Sequence, residues 1–219
     1  TEVWEASVRG SDVQRWLENF SGKVFTTEHE RLHALHLLAH FNYFGLKEIR
    51  EMLRVVYRDL FRYPLVQEAR NAMGGTRDAA LLETQFAAEL QSTRFLGMGN
   101  PSESGAHLLY YFRQVNGLSK TLFIHQHEIL THAPGVPNNS LAIPGLKRLV
   151  FIDDLMGSGQ QATEYSRKLL DHVRRACQST GQSLEILYFT LFGRHVALDK
   201  VRKIPFDRVD TVHSVEDAE

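Results

Sequence analysis

The chain is poor in cysteine, in long apolar runs and in net charge. Cys177 is the single cysteine among 219 residues, so an intramolecular disulfide is excluded and a reducing, cytoplasmic location is expected. The longest strongly apolar stretch, residues 184–192, contains Glu185 and Thr190. It is far shorter than the roughly 20 residues that a membrane-spanning helix needs. The net charge of -1 gives no indication of nucleic-acid binding by the whole chain. These absences favour a soluble protein that works away from membranes.

Both ends of the sequence lack the usual signals. The chain begins at Thr1 without an initiator methionine, and the first residues do not have the basic and then apolar order of a signal peptide. The last residues, 212–219, follow a predicted strand without a clear end. We therefore expect a trimmed chain that is truncated at its C-terminus.

The first part of the chain has the periodicity of helices. Ser11 is predicted to cap a first helix, and Thr27 with Glu30 forms the pattern of a capping box at the start of a second. A third helix is predicted from Leu46 and should stop before Pro64. We accordingly divide the chain into a helical unit with a linker, residues 1–76, and an α/β domain, residues 77–219.

Four histidines recur on one stripe of the second predicted helix, namely His29, His33, His36 and His40. Imidazoles at such spacing can bind a transition metal. They can also form a half-buried polar flank that packs on a neighbour. The second interpretation is favoured, because no cysteine or carboxylate cluster completes a site.

The periodicity changes after residue 93. Short apolar runs predict strands at 94–98, 121–124, 148–152, 184–192 and 208–212, separated by helical segments. This alternation predicts a Rossmann-like α/β domain with a mostly parallel sheet and helices on both faces. Residues 131–147, with three prolines and two glycines, are predicted to form a mobile surface loop of the kind that serves as a lid.

Several chemical features coincide after the strand at 148–152. The adjacent carboxylates Asp153 and Asp154 follow the strand, and a turn and a helix from about Gln160 come next. Ligands of parallel sheets bind at this end of the strands. The carboxylates can accept hydrogen bonds from the vicinal hydroxyls of a ribose or hold a hydrated Mg²⁺. The turn, Gly157-Ser158-Gly159, and the helix N-terminus can hold a phosphate. The combination predicts a site for ribose 5-phosphate.

Residues 149–159 resemble the phosphoribosyl pyrophosphate (PRPP) binding motif of type I phosphoribosyltransferases. The resemblance implies that Asp153 and Asp154 contact the ribose hydroxyls, with Mg²⁺ as a cofactor. It also implies that the 5-phosphate is held by the loop of Gly157, Ser158, Gly159, Gln160 and Gln161. The family usually closes this loop with a threonine, where the present chain has Gln161.

A second resemblance is to the divergent phosphoribosyltransferase-like domains of bacterial conflict and antiphage systems. It is carried by Gly-Ser-Gly-Gln-Gln-Ala after the acids, by the helical N-terminal unit and by residues 97–105 before a helix. In those domains the segment that corresponds to residues 97–105 takes the position of the pyrophosphate-binding loop. The resemblance therefore implies that Ser102, Ser104 and Gly105 bind pyrophosphate. The resemblance also implies a protein partner in a defence complex.

Three functions remain open from the sequence. The protein could be an enzyme that acts on PRPP or a nucleotide, for which no nucleophilic residue is required. It could be a sensor that binds a phosphorylated ribose or nucleotide without turnover. It could also be a non-catalytic interaction module that docks into a larger complex.

Overall fold

The computed structural model describes residues 8–98, 105–131 and 140–216. Contacts divide the chain into two compact units, Thr1–Ile49 and Arg50–Glu219. The sequence pattern predicts a boundary at residue 76 instead. The helical residues between these two positions belong by their contacts to the second unit.

The first unit contains α1 (Gly10–Leu17), α2 (Thr27–Ala39) and the start of α3 (Leu46–Val55). The predicted caps are wrong in detail. Helix α1 begins at Gly10, one residue before the expected cap. The cap of α2 is Thr26, whose hydroxyl accepts from the His29 amide at 3.3 Å.

Glu30 does not reach back to Thr27, because the preceding turn offers it other donors. Its carboxylate accepts from the amides of Gly22 and Val24, each at 2.7 Å. These amides belong to the turn before α2, and their hydrogen bonds, first that of Val24 and then that of Gly22, lower the pKa of the Glu30 carboxyl.

Helix α3 does not stop before Pro64. It continues into a π-helical segment, Val56–Arg62, and then into α4 (Tyr63–Ala72). Proline lacks an N–H group, and its ring conflicts with the carbonyl four residues earlier in an α-helix. The wider π-helical turn before Pro64 accommodates that ring, so the helix is distorted rather than ended.

A four-stranded parallel sheet forms the centre of the second unit, in the order β1-β2-β3-β4. This confirms the prediction of an α/β fold with a mostly parallel sheet. The strands are β1 (Thr93–Gly97), β2 (Arg148–Met156), β3 (Glu185–Arg194) and β4 (Arg208–Val215). The helices are α5 (Ala79–Gln91) before β1, α6 (Gly105–Val115) after it, α7 (Gln160–Thr180) after β2 and α8 (His195–Val201) after β3.

The strand predicted at 121–124 is wrong. The segment forms a 3₁₀ turn, Lys120–Leu122, which Ser119 caps by accepting from the Thr121 amide at 3.3 Å. Its link to the sheet is a single bridge between Phe123 and Phe95, with the Ile124 amide donating to the Phe95 carbonyl at 3.1 Å. The local side-chain bond outcompetes strand pairing here. Residues 132–139 of the predicted lid lie outside the described residues, and Leu130 pairs with Leu141 at its base.

The sheet has a packed layer on each face. On one face Leu149 and Phe151 of β2 share a core with Leu170 and Val173 of α7. The other face carries an aromatic cluster in which Phe95 contacts Phe61 and Phe112 at ring distances of 5.1 and 5.3 Å. Residues 148–152 are consequently all buried. In the described part of the chain, no helix is long and apolar enough to cross a membrane.

Candidate functional site

The carboxyl end of β2 presents two adjacent acids. The strand is buried from Arg148 to Ile152, and the next two residues, Asp153 and Asp154, are the first that reach solvent. Since all four strands are parallel, their carboxyl ends meet at one edge of the sheet. The predicted carboxylates therefore lie where ligands of such sheets bind.

Asp153 is fixed by a hydrogen bond to each of its carboxylate oxygens. Oδ1 accepts from the Asp154 amide at 3.0 Å, and Oδ2 accepts from the Tyr188 hydroxyl at 3.1 Å. Burial raises the pKa of Asp153 to about 7, and the neighbouring charge of Asp154 is the second cause of this rise. A hydroxyl-rich or cationic ligand at this carboxylate would offset that cost.

Tyr188 is a buried residue of β3, the strand next to Asp153. It is 1% exposed, and its ring stacks on Phe206 with centroids 5.2 Å apart. Burial raises the pKa of Tyr188 well above its ordinary value, so the phenol stays neutral and donates. The neighbouring Thr190 pairs with Asp153 in the register of the sheet. It is fully buried, and its hydroxyl has no partner among the described residues.

The turn after β2 is held against α8. Gly159 has a φ of +68°, and a Cβ atom there would lie 3.1 Å from the Ala197 carbonyl oxygen and 3.2 Å from Val201 Cγ2. Both the conformation and the space require glycine. The Lys200 ammonium donates to the Ser158 carbonyl at 3.4 Å, which brings a positive charge to the turn.

Helix α7 begins directly after this turn. The Gln160 amide donates to the Ser158 hydroxyl at 3.3 Å, and the Thr163 hydroxyl donates to the Gly159 carbonyl at 2.6 Å. The N-terminus of a 21-residue helix favours an anion through its first backbone amides and its dipole. Gln161 is the second residue of this helix.

The predicted acids and phosphate loop thus belong to one continuous strand, turn and helix. Ser102 and Ser104, the candidates for the pyrophosphate loop, lie outside the described residues. Gly105 is the first residue of α6, which follows β1. Because β1 pairs in parallel with β2, the start of α6 follows a strand end next to that of Asp153.

The donors at the carboxyl edge fit only one type of metal site. Within the described ranges, no group of three or more histidine, cysteine, aspartate or glutamate side chains is arranged to hold a metal. Asp153 and Asp154 alone fit a cation such as Mg²⁺ that keeps water or phosphate oxygens as its remaining ligands.

The histidine stripe of α2 makes local contacts instead. His36 and His40 have ring centroids 4.3 Å apart, and His40 Nδ1 lies 2.8 Å from the His36 carbonyl oxygen. His33 contacts the edge of Phe25. These contacts are typical of a polar flank.

Three residues near the acids and the loop are not predicted from the sequence, namely Tyr188, Thr190 and Lys200. Tyr188 and Thr190 stand in the apolar run of β3 and look like ordinary strand residues. Their closeness to Asp153 depends on the register between β2 and β3, which the sequence does not encode locally. Lys200 reaches the turn only because α8 packs beside it.

Comparison with known proteins identifies a family for nearly the whole chain. A family model described as PRTase-CE matches residues 13–219. Among solved structures, the chain is similar to orotate phosphoribosyltransferase from Aeropyrum pernix, with 14% identity and a TM-score of 0.32. That match covers 61% of this chain and 73% of the other. No curated protein matches.

Proposed function

The chain belongs to the PRTase-CE family, and from this premise we propose that its carboxyl edge binds PRPP or a ribonucleotide phosphate. One observation carries the proposal. The acids at the end of β2 and the loop at the start of α7 are only a few residues apart in one strand, turn and helix. A ligand that combines vicinal hydroxyls with a phosphate matches both halves at once.

The carboxylates are the sugar half of the proposed site. Asp153 and Asp154 accept hydrogen bonds from the ribose hydroxyls, and bonds to charged acceptors of this kind are the stronger ones. The raised pKa of Asp153 supports this role, because strongly shifted groups concentrate at functional sites.

The turn is the phosphate half. The amides of the first residues of α7, including Gln160 and Gln161, donate to the 5-phosphate, together with the groups of Gly157, Ser158 and Gly159. Lys200, which already contacts the Ser158 carbonyl, adds a positive charge. This charge compensates for the absence of the usual loop threonine.

The start of α6 is the proposed pyrophosphate side. Ser102 and Ser104 precede Gly105, the first residue of this helix, and supply hydroxyls and amides for a second anion. Asp153 and Asp154 would hold Mg²⁺, which neutralises the charge of a pyrophosphate group when it is bound.

In this proposal the protein is an effector or sensor of a bacterial antiphage defence system and works with a protein partner in the cytoplasm. The role rests on the resemblance of residues 97–105 and of the loop after the acids. As an enzyme it would position PRPP or a nucleotide and stabilise the leaving group without a nucleophile. The buried free thiol of Cys177 is compatible with a reducing compartment.

A second candidate is a non-catalytic module that docks into a larger complex. Exposed apolar side chains in the first unit favour it, since Leu32, Leu37 and Phe41 are 61%, 70% and 60% exposed. In that case the carboxyl edge would bind neither PRPP nor nucleotides.

Calorimetric titration separates these functions. PRPP and common nucleotides are titrated, with and without Mg²⁺, into the wild type, Asp153→Asn and Asp154→Asn. Asp171→Asn is the matched control, because this exposed aspartate lies in α7 away from the edge. We expect binding by the wild type and the control, and a loss of affinity of at least tenfold in the two edge variants.

A test of turnover separates the enzyme from the sensor. Release of pyrophosphate or loss of nucleotide would identify an enzyme, and binding without turnover would identify a sensor. Absence of all binding would refute the proposal in favour of the docking module.

A further inference from the structure

The Asp153 carboxylate has two different kinds of support. One oxygen is held by a backbone amide, that of Asp154, and the other by a side chain, the Tyr188 hydroxyl at 3.1 Å. Only the second bond sets the rotation of the carboxylate from outside its own strand. A carboxylate oxygen has two lone pairs, so each oxygen retains one acceptor position for a ligand.

The donor is itself buried and closely packed. Tyr188 is 1% exposed, its ring stacks on Phe206 at an interplanar angle of 27°, and it belongs to the same core as Leu149 and Phe151. The closely packed interior prevents the phenol from following a carboxylate that turns away. The direction of the bond is therefore set by the core of the second unit.

We propose that Tyr188 is a positioning residue that fixes the Asp153 carboxylate for the vicinal hydroxyls of a ribose, and so sets the preference of the site for hydroxylated sugar phosphates. This rests on the proposed function, because it assumes that the sugar lies at Asp153. The inference adds to the proposed function a residue, Tyr188, that acts on the site without touching the ligand. It also names a class of ligand that the site should reject, namely sugar phosphates without the two hydroxyls.

Thr190 explains why the phenol is needed. This residue is the cross-strand partner of Asp153, and its buried hydroxyl has no partner among the described residues. Unpaired buried donors are costly, so a carboxylate released by Tyr188 has a second donor to turn toward. The Asp153 carboxylate can thus turn toward the Tyr188 hydroxyl or toward the Thr190 hydroxyl, and the bond from Tyr188 keeps it in the first orientation.

The test compares ribose 5-phosphate with 2,3-dideoxyribose 5-phosphate, which keeps the phosphate and lacks both hydroxyls. Both are titrated calorimetrically into the wild type and into Tyr188→Phe, which removes only the donor. Tyr57→Phe is the matched control, since the Tyr57 ring packs against Phe61 and Phe86 in the same unit. We expect the wild type and the control to prefer ribose 5-phosphate. In Tyr188→Phe its affinity should fall about tenfold, with that of the dideoxy compound unchanged.

The possible results separate the positioning role from the function. If the wild type binds neither compound, the proposed function and this inference both fall. If it prefers ribose 5-phosphate and Tyr188→Phe keeps the same ratio of affinities, the inference alone is overturned. An equal loss for both compounds would indicate a structural role and also overturn it, as would an equally large change of the ratio in Tyr57→Phe.

A second variant covers the case in which Tyr188→Phe does not fold. Phe206→Leu keeps the phenol but removes the ring that stacks on it. We expect a smaller fall in the same ratio, about two- to fivefold, because the donor stays present but is less well fixed. An unchanged ratio in this variant would contradict the positioning role.

Discussion

The backbone amide of Asp154 donates a hydrogen bond to the side chain of Asp153, at a distance of 3.0 Å. The bond stabilises the charged form of the Asp153 carboxyl. The burial of Asp153 and the neighbouring charge of Asp154 destabilise that charged form more strongly. The result is a carboxyl group whose pKa rises from 3.8 to about 7. Between these values the folded protein binds a proton that the unfolded chain does not.

This difference makes stability depend on pH in a defined direction. Below pH 3.8 both states carry the proton, and Asp153 costs the fold nothing. As the pH rises toward 7, the unfolded chain gains by ionising, so the free energy of unfolding falls until the folded state ionises as well. The loss is then complete and persists at higher pH.

We predict that Asp153→Asn is more stable than the wild type at high pH. Asparagine cannot ionise, so the variant should gain about 1–3 kcal/mol at pH 8 and about zero at pH 4. Urea denaturation at pH 4, 6 and 8 measures this, with Asp171→Asn as the control for charge removal at an exposed position. A constant difference at all three pH values would contradict it. The same variant should lose ligand binding, as expected for a site that is kept at the expense of stability.

Gly159→Ala should destabilise the protein and weaken phosphate binding. The new methyl group meets the Ala197 carbonyl at 3.1 Å, and the residue has a φ of +68°. We expect a loss of about 1–3 kcal/mol in the free energy of unfolding, measured by urea denaturation. Gly157→Ala is the matched control, because a Cβ atom there meets nothing within 4 Å and its φ is not in the left-handed region. Equal losses in the two variants would refute this explanation.

Thr190→Val should stabilise the protein by about 1 kcal/mol, because it keeps the shape of the side chain and removes a buried hydroxyl that has no partner among the described residues. A thermal melt should show a rise of about 2–4 °C in Tm. Thr211→Val, on the paired strand, is the control, since its hydroxyl donates to the His213 carbonyl at 3.1 Å. A lower Tm for Thr190→Val would mean that its hydroxyl bonds to a buried water.

Lys200→Gln should weaken the binding of ribose 5-phosphate two- to fivefold, about the contribution of one solvent-exposed charge. The effect should shrink in high salt, because the ammonium is exposed. Titration at two salt concentrations tests this, and Lys203→Gln, an exposed lysine just after α8, controls for net charge. Equal weakening by both variants would indicate a general charge effect instead of a contact at the loop.

Much of the candidate site could be predicted because its parts are close in sequence. A run of residues buried on both faces, a pair of acids and a glycine turn each leave a local pattern, and together they indicated the strand, turn and helix from residue 148 onward. The parallel sheet followed from the spacing of such segments. The functional roles of Asp153, Asp154 and the loop stay predictions.

The remaining features depend on contacts between distant segments or on competition between local structures. Tyr188 contacts Asp153 through strand register, and Lys200 reaches Ser158 through the packing of α8. Pro64 was expected to end a helix, but a π-helical turn accommodated it. At Thr121 a side-chain cap prevailed over the strand propensity of an apolar run. The first two contacts have no signal within a few residues, whereas the last two outcomes are local competitions that the residue pattern alone does not decide.

The contact of Gly159 with Ala197 and Val201 has a thermodynamic consequence. Folding of the second unit already orders the backbone of the turn, because α8 leaves it no room to open on that side. An incoming phosphate would meet donors that are already aligned. Its binding free energy would not be reduced by the entropic cost of ordering a flexible segment. Its association should therefore carry a small entropic penalty, and its rate should be limited by diffusion and charge instead of by loop rearrangement.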